Sequence, residues 1–534
     1  MNAMDWRQPA YLKQSVKMEL LACRWYVWPH LISPAQHALN LLYRYLPILR
    51  SFVRSPSVHE AATRDPNLFW GPFINLPVAH VAQISALIRD IEARCGKLLA
   101  FAEHWRKFDK RLQECATGAS LDELYTQLPD SLTGTIEIGY DTNNRATIRL
   151  LEEMLYDGAL ENSHTQELSL FCAKDRERKF FLNTPRPPSL DRLDLRVPFS
   201  DPRIDMISAM RIRPVTPAAV ADEFRMEQAE AERFSHFVTV ERPRRNAPAY
   251  AGQGVRLRYF GHACVLVQTA STSILFDPVV AWDRDEEGAT LTFDDLPDFI
   301  DHVVLTHNHQ DHFCPEVLLQ LRTRIGRVLV PRSNPSNVAD PSMKLALRHL
   351  GLDAVDALDP LSRICVASGA LTTIPFFGEH AGLDVYSKQG ALVELEGYRM
   401  LFLADSDCCD RNLYRRLARR LGRVDALFIG MECHGAPLSW LYGPYLTRAV
   451  GRGADESRRL SGSDCERAWA VIEELGCQRV FIYAMGQEPW LRHLLGLAYA
   501  PDSIQIVESD RLLARCRDHG IPAERLNGCC EIQL

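Results

Sequence analysis

The sequence predicts an α/β protein of two domains, and three observations support this prediction. The chain has 534 residues, of which 46% are hydrophobic, so it is too long for one core and has ample apolar material for two. Short apolar, strand-like segments recur in its second half and end in polar residues. A charged segment with two prolines, 241–248, precedes them. We therefore predict an N-terminal domain over 1–245 and a second domain over 246–534.

The N-terminal domain is predicted to mix helices and strands. Residues 82–115 have apolar side chains at helical spacing, and 219–237 form a second predicted helix that is rich in Glu and Arg. Between them, 134–140 and 146–150 alternate apolar and polar residues as paired strands do. These residues do not indicate what the domain does.

The most informative segment of the second domain reads His-Asn-His-Gln-Asp-His and directly follows the apolar segment 302–306. Alternate side chains at the end of a buried strand point the same way, so His307 and His309 should hold one metal. Asp311 and His312 then turn towards a second metal. Two cations a few ångströms apart need neutral imidazoles and at least one anion. A polar surface loop is the alternative, but this spacing is far more specific than a single histidine, so we predict a dinuclear metal site.

Later apolar segments supply the partners that such a site needs. Each ends near a potential ligand: segment 372–376 is followed by Glu379 and His380, 401–404 by Asp405, and 425–431 by His434. Upstream, segments 259–263 and 274–278 flank a predicted hairpin that opens the domain. Adjacent residues of an extended chain point to opposite sides, so only one of Glu379 and His380 should reach the metals.

In this order the segments resemble the metallo-β-lactamase superfamily over roughly residues 252–500. The resemblance implies an αββα sandwich whose metals lie at the loop ends of two facing sheets. Hydrolytic members use a histidine where this chain offers Glu379 and His380. If Glu379 is the ligand, the site has three carboxylates and no thiolate, and such hard oxygen ligands favour iron or manganese. That composition favours oxygen chemistry over hydrolysis.

Within this superfamily the chain more narrowly resembles the dinuclear-iron β-hydroxylases of nonribosomal peptide pathways, including the one in chloramphenicol biosynthesis. The long N-terminal domain, the total length and the Gly-Glu-His segment at 378–380 carry this resemblance. It implies the following ligands: His307, His309 and Glu379 on one iron, Asp311, His312 and His434 on the other, and Asp405 as a bridge. Glu379 and Asp405 are then the candidate catalytic residues. His493 is the alternative to His434.

The resemblance also implies an activity. Two irons, with O2 as co-substrate and electrons from an external reductase, would hydroxylate the β-carbon of an aminoacyl group tethered to a nonribosomal peptide synthetase carrier domain in antibiotic biosynthesis. A phenylalanine-type aromatic substrate and a homodimer are expected on the same ground. The first alternative is a zinc-dependent hydrolase with His380 as ligand. The second is a metal-free scaffold, which would show a degenerate ligand set, whereas this set is complete.

Three further features near the predicted site each leave two interpretations open. The six arginines between 411 and 423 either dock an acidic carrier domain or form a solvated helix face. The aromatic segment 440–445 either walls a substrate pocket or packs as a corner of the domain. Glu432 either orients His434 or donates a proton near the metals, or it is a surface carboxylate.

The composition excludes several classes of function. A net charge of −7 and a pI near 6.2, with no stretch that combines a basic field with stacking aromatics, exclude a nucleic-acid partner. No apolar run approaches a membrane span, and the first residues lack the layout of a secretory signal. The 15 cysteines include no CxxC pair, so we expect a reduced, cytoplasmic protein. Cys408, Cys409 and Cys433 lie near the predicted site, where small buried residues are favoured over a functional thiol.

Overall fold

The computed structural model describes residues 5–66, 68–156, 158, 160, 162–284 and 290–534. The N-terminal half contains, in chain order, β1 (Tyr11–Leu12), β2 (Val16–Ala22), β3 (Trp25–Tyr26), α1 (Pro29–Ile32), α2 (Pro34–Asn40), α3 (Leu46–Arg54), α4 (Pro56–Ala62), α5 (Val81–Arg94), α6 (Gly96–Cys115), α7 (Asp122–Tyr125), β4 (Ile136–Tyr140), β5 (Ala146–Leu150), α8 (Glu153–Tyr156), β6 (Gln166–Cys172), β7 (Arg192–Arg196), α9 (Arg203–Ala209), α10 (Pro217–Phe224), α11 (Gln228–Ser235) and β8 (Val238–Thr239).

The second half continues with β9 (Arg256–Gly261), β10 (Cys264–Gln268), β11 (Ser273–Phe276), β12 (Ile300–Val304), α12 (Pro315–Leu321), β13 (Ile325–Pro331), α13 (Met343–His349), β14 (Val355–Leu358), β15 (Arg363–Val366), β16 (Gly369–Ile374), β17 (Gly390–Leu395), β18 (Tyr398–Phe402), α14 (Arg411–Leu421), β19 (Ala426–Gly430), α15 (Leu438–Tyr442), α16 (Arg452–Ser457), α17 (Cys465–Leu475), β20 (Val480–Tyr483), α18 (Arg492–Leu495), α19 (Ile504–Asp518), β21 (Ala523–Arg525) and β22 (Cys530–Gln533).

Two seven-stranded sheets pack face to face in the second half. Their orders are β14-β13-β12-β11-β10-β9-β22 and β15-β16-β17-β18-β19-β20-β21. A shared apolar core fills the space between them, where the rings of Phe276 and Phe402 stack 4.1 Å apart. Helices α12 and α13 cover the outer face of the first sheet, and α14, α17 and α19 cover that of the second. The predicted αββα sandwich is confirmed.

Parallel strand pairing determines where the loops of the sandwich meet. Strands β11, β12, β13 and β14 run parallel in the first sheet, as do β18, β19 and β20 in the second. Because the carboxyl ends of parallel strands meet at one edge, the segments that follow β11 and β12 lie together, as do those that follow β18 and β19. The backbone links the two edges, since Gln389 donates to the carbonyl of Thr306 at 2.8 Å.

The N-terminal half contains a four-stranded antiparallel sheet of order β3-β2-β6-β7, surrounded by helices, and the predicted hairpin of β4 and β5 is confirmed. The helix predicted over 82–115 is two helices, because the chain leaves helical geometry at Cys95 and restarts at Gly96. The helix predicted over 219–237 is also two, since Arg225 adopts a left-handed conformation with φ 51° and ends the first. No helix among the described residues has the length and apolar character needed to cross a membrane.

A buried ionic network joins the N-terminal sheet to the second half. Glu19 on β2 accepts hydrogen bonds from the guanidinium groups of Arg178, Arg186 and Arg192 at 2.9–3.2 Å. Arg178 also binds Glu316 on α12. Burial alone would raise the pKa of Glu19, but the three guanidinium groups lower it well below its usual range. The network therefore fixes α12, which begins three residues after His312, against the N-terminal half.

We predict that replacing Glu19 with Gln destabilises the protein by about 3–5 kcal/mol, because removing one partner leaves buried charges uncompensated. Denaturant unfolding followed by circular dichroism measures the change. The control is Asp359→Asn, which removes an ion pair with Arg332 whose side chains are 60% and 62% exposed. That variant should unfold at nearly the same denaturant concentration as the parent protein, because the pair is exposed to solvent. Equal stability of the two variants would contradict a structural role for the network.

Candidate metal centre

The segment after β12 is anchored by Asp277, which follows β11. Asp277 accepts hydrogen bonds from the backbone amide of Thr306 at 2.7 Å and from its hydroxyl at 2.6 Å. Its Oδ2 also lies 2.8 Å from Nδ1 of His312. Asp277 therefore holds the start of the histidine segment and leaves Nε2 of His312 to face the cluster. Asp277 was not predicted to support the site. A buried carboxylate at the end of a neighbouring parallel strand is the feature that would identify such a residue.

Six of the seven predicted ligands come together at the edge of the sandwich. Their potential ligand atoms form three overlapping groups, each within 4.8 Å: His307, His309 and Glu379; His307, His312 and Asp405; and His262, Asp311 and His312. All of these side chains are buried. Nε2 of His312 lies 3.0 Å from Oδ2 of Asp405, and Nε2 of His307 lies 3.6 Å from the same oxygen. Because the groups share His307 and His312, they describe adjacent positions for two ions.

The donor atoms fit metal ions. Among the described residues, Nε2 of His307, Nε2 of His312 and Oδ1 of Asp405 are buried and have no hydrogen-bond partner. Orphaned buried polar atoms are rare and costly, and a cation that they share removes the cost. Burial lowers the pKa of His312, but the carboxylates of Asp405, Asp311 and Asp277 outweigh burial and raise it well above its usual range. The site has an excess of negative charge that cations would balance.

A left-handed turn, and not an extended strand end, presents Glu379. Gly378 and Glu379 have φ values of 83° and 67°, a region that a residue other than glycine rarely adopts. A Cβ on Gly378 would lie 2.4 Å from Cβ of Asp407, so only glycine fits there. The turn places Oε1 of Glu379 2.8 Å from Nδ1 of His309. His380 belongs to none of the three groups.

Tyr442 on α15 lies between two histidines. Its hydroxyl is 2.9 Å from Nε2 of His309 and 2.7 Å from Nδ1 of His380. The aromatic segment 440–445 thus combines both predicted interpretations, since Trp440 lines the cavity beside the ligand cluster while Tyr442 and Tyr445 are buried. Tyr442 fixes the orientation of a predicted ligand, a role that the sequence analysis missed.

The structure does not bring His434 or His493 to the ligand cluster. The side chain of His434 lines the cavity wall and is exposed there, and partial desolvation together with the charge of Arg459 lowers its pKa. His493 is buried elsewhere, with Nδ1 2.9 Å from the carbonyl of Trp490. His262 joins the cluster instead, with Nε2 3.1 Å from Oδ2 of Asp311. Its signal in the sequence is a histidine at the turn of the hairpin that opens the sandwich.

Glu432 faces the cluster from the end of β19. It lines the cavity, and burial followed by the charges of Glu379, Asp405 and Asp311 raises its pKa well above the usual range. It is therefore no surface carboxylate. The nearby thiols match small packing residues, because burial raises the pKa of both Cys408 and Cys433 to about 11.

A cavity of about 200 Å³ opens onto the ligand cluster. Carboxylates and histidines occupy its inner end, and its walls are mainly apolar: Trp70, Ala436, Pro437, Trp440, Leu441, Leu460, Leu495 and Leu497. The basic helix α14 contributes no residue to this lining. Its Arg411 and Arg415 pair with Glu474 on α17. Docking of a carrier domain on this helix stays a prediction.

Comparisons with known proteins agree with this geometry. Two family models match the chain, that of the diiron non-heme beta-hydroxylase N-terminal domain over residues 11–243 and that of the beta-lactamase superfamily domain over residues 256–431. A Streptomyces venezuelae relative that 3-hydroxylates 4-amino-L-phenylalanyl on the CmlP peptidyl carrier protein is 34% identical over 522 residues, which are 97% of this chain and 98% of that protein.

Solved structures give the same result. The crystal structure of CmlA, a diiron β-hydroxylase from Streptomyces venezuelae, has a TM-score of 0.92 at 33% identity and covers 99% of this chain and 100% of that one. A point mutant of the same β-hydroxylase has a TM-score of 0.90 at 34% identity and covers 98% and 100%. The predicted resemblance is confirmed, and the chain belongs to the family of diiron non-haem β-hydroxylases.

Proposed function

We propose that this chain is an O2-dependent diiron β-hydroxylase of an aminoacyl group carried by a peptidyl carrier protein. The observation that carries the proposal is the turn that aims Glu379, and not His380, at His309. A carboxylate at this position makes the ligand set hard and favours iron. The full-length similarity to the Streptomyces venezuelae 3-hydroxylase supports the same activity and the carrier-bound substrate.

We assign the ligands from the three groups. His307, His309 and Glu379 would hold one iron, and Asp311 and His312 would hold the other. Asp405 would be shared by both, because its Oδ2 faces both His307 and His312. His262 would take the place beside Asp311 that was predicted for His434.

The protein's own groups orient these ligands and the substrate. Bound irons supply the activation of O2 and the removal of hydrogen from the β-carbon, with electrons from an external reductase. Asp277 holds the ring of His312, and Tyr442 holds that of His309. The apolar walls exclude water, and Trp70 and Trp440 offer aromatic faces to a phenylalanine-type side chain. A homodimer and antibiotic biosynthesis belong to the same proposal.

A zinc hydrolase with His380 as ligand is the weaker candidate. That enzyme would need a ring nitrogen of His380 among the donor atoms of the cluster. Nδ1 of His380 is hydrogen-bonded to the hydroxyl of Tyr442 at 2.7 Å. Its Nε2 is buried without a hydrogen-bond partner among the described residues, but the ring belongs to none of the three ligand groups.

Replacing Glu379 with Ala should lower the iron content of reconstituted protein from about two per chain towards one and abolish hydroxylation, because a ligand is lost. His380→Ala is the matched control and should change activity about tenfold or less. Metal analysis and mass spectrometry of a carrier-bound phenylalanyl thioester give the two readouts. If His380→Ala lost metal and Glu379→Ala kept it, the hydrolase candidate would replace this proposal.

Replacing Tyr442 with Phe should weaken iron binding about 10–100-fold, because the hydrogen bond that orients His309 is lost. Competition with a chelator measures the change in affinity. Tyr445→Phe is the control, since that hydroxyl bonds to His30 and Asn40 and not to a ligand. Similar iron affinities in both variants would show that Tyr442 only packs.

A further inference from the structure

A second cavity adjoins the one at the metal centre. It measures about 440 Å³ and shares three lining residues, Trp70, Pro437 and Trp440, with the inner cavity. The indole nitrogen of Trp440 donates to the carbonyl of Trp70 at 3.4 Å, so the two tryptophans are in contact and form part of the wall that the two cavities share. We call the second space the outer cavity. The two cavities are therefore neighbours, and the inner one opens onto the ligand cluster.

Both halves of the chain line the outer cavity. The N-terminal half contributes residues from 43–48, 70–72 and 182–183, and the second half contributes residues from 437–444. Most of the lining is apolar, and its charged group is the guanidinium of Arg44. A ligand of this space must therefore be largely uncharged along its length and carry acceptors for a cation.

Arg44 is buried without a compensating anion. Its Nη2 donates to the carbonyl of Leu441 at 2.6 Å, while its Nη1 is buried and has no hydrogen-bond partner among the described residues. By contrast, the buried guanidinium groups of Arg178 and Arg186 each lie within 3.2 Å of a carboxylate oxygen of Glu19. An unpartnered buried donor is costly unless a ligand supplies the acceptor.

Arg106 on α6 also has a buried guanidinium donor without a partner among the described residues, but its side chain lies closer to solvent. Its Nη2 donates to the carbonyl of Pro444 at 2.8 Å, and its guanidinium lies 3.3 Å above the ring of Tyr43. Pro444 and Tyr43 both line the outer cavity. Nε of Arg106 is buried and has no hydrogen-bond partner in the described part of the chain. Arg44 therefore lines the outer cavity, the half-buried Arg106 packs against two residues that line it, and each guanidinium has a donor that no described residue pairs with.

We propose that the outer cavity binds the phosphopantetheine arm of the aminoacyl carrier protein, an inference that rests on the proposed function. The arm has a thioester at one end, amide carbonyls along its length and an anionic phosphodiester at the carrier end. The thioester end extends past the residues that both cavities share, Trp70, Pro437 and Trp440, into the inner cavity. Arg44 donates to a carbonyl of the arm, and Arg106 donates to the phosphodiester, as guanidinium groups do to phosphate oxygens.

Isothermal titration of the full-length, iron-loaded protein tests this inference with two probes, 4′-phosphopantetheine and pantetheine, which lacks the phosphate. We expect the protein to bind the first at least about tenfold more tightly. Arg106→Met should remove this preference without changing the affinity for pantetheine. Arg44→Met should weaken the binding of both probes. Lys110→Met is the matched control, because Lys110 lies on the same helix with a 76% exposed side chain, and it should keep the preference.

The outcomes separate this inference from the proposed function. Equal affinities for the two probes, or a preference that survives in Arg106→Met, would overturn the inference even if the protein hydroxylates a carrier-bound substrate. A preference that depends on Arg106 in a protein that neither holds iron nor hydroxylates would uphold the arm site and overturn the proposed function. Arg106 is half-buried, so this variant decides the question even if Arg44→Met fails to fold.

Discussion

The convergence of buried carboxylates and imidazoles at one edge of the sandwich is the constraint on which the rest of the site depends. Asp311, Glu379 and Asp405 lie buried among His307, His309 and His312, where each isolated ion costs several kcal/mol. Metal cations shared by these groups would offset that cost. Parallel strands deliver the ligands to one edge, and the backbone bonds between the two edges keep them there. The fold therefore positions a buried cluster of charged groups that requires metal ions.

The choice between hydrolysis and oxygen chemistry depends on a single backbone turn. Glu379 takes a left-handed conformation that costs on the order of 1–3 kcal/mol, and the surrounding structure must hold it in place. Gly378 allows the close approach to Asp407, and Tyr442 binds Nδ1 of His380. The hydroxyl of Tyr442 also binds His309, so one hydroxyl orients both rings. The N-terminal half supports this arrangement, since the segment 440–445 packs against residues of its helices.

The closely spaced ligands could be predicted from the sequence alone. Residues that reach the site through contacts between distant segments were harder to predict. The close spacing of His307, His309, Asp311 and His312 after a strand fixes their relation without knowledge of the fold, and the structure brings them together. His434 lines the cavity but belongs to none of the three ligand groups, and its position depends on how the chain leaves β19, which no short pattern encodes. His262, at the turn of the hairpin that opens the sandwich, and Tyr442 reach the site through tertiary packing. The breaks at Cys95 and Arg225 were missed because helical periodicity continues across them.

The central claim is that this site holds iron for oxygen chemistry and not zinc for hydrolysis. Metal analysis of the protein expressed without added metal, with optical spectra in air and after anaerobic reduction, tests it most directly. The account predicts about two irons per chain and a near-ultraviolet absorption that reduction removes. Stoichiometric zinc with a featureless spectrum, persisting after iron reconstitution of the metal-free protein, would contradict it.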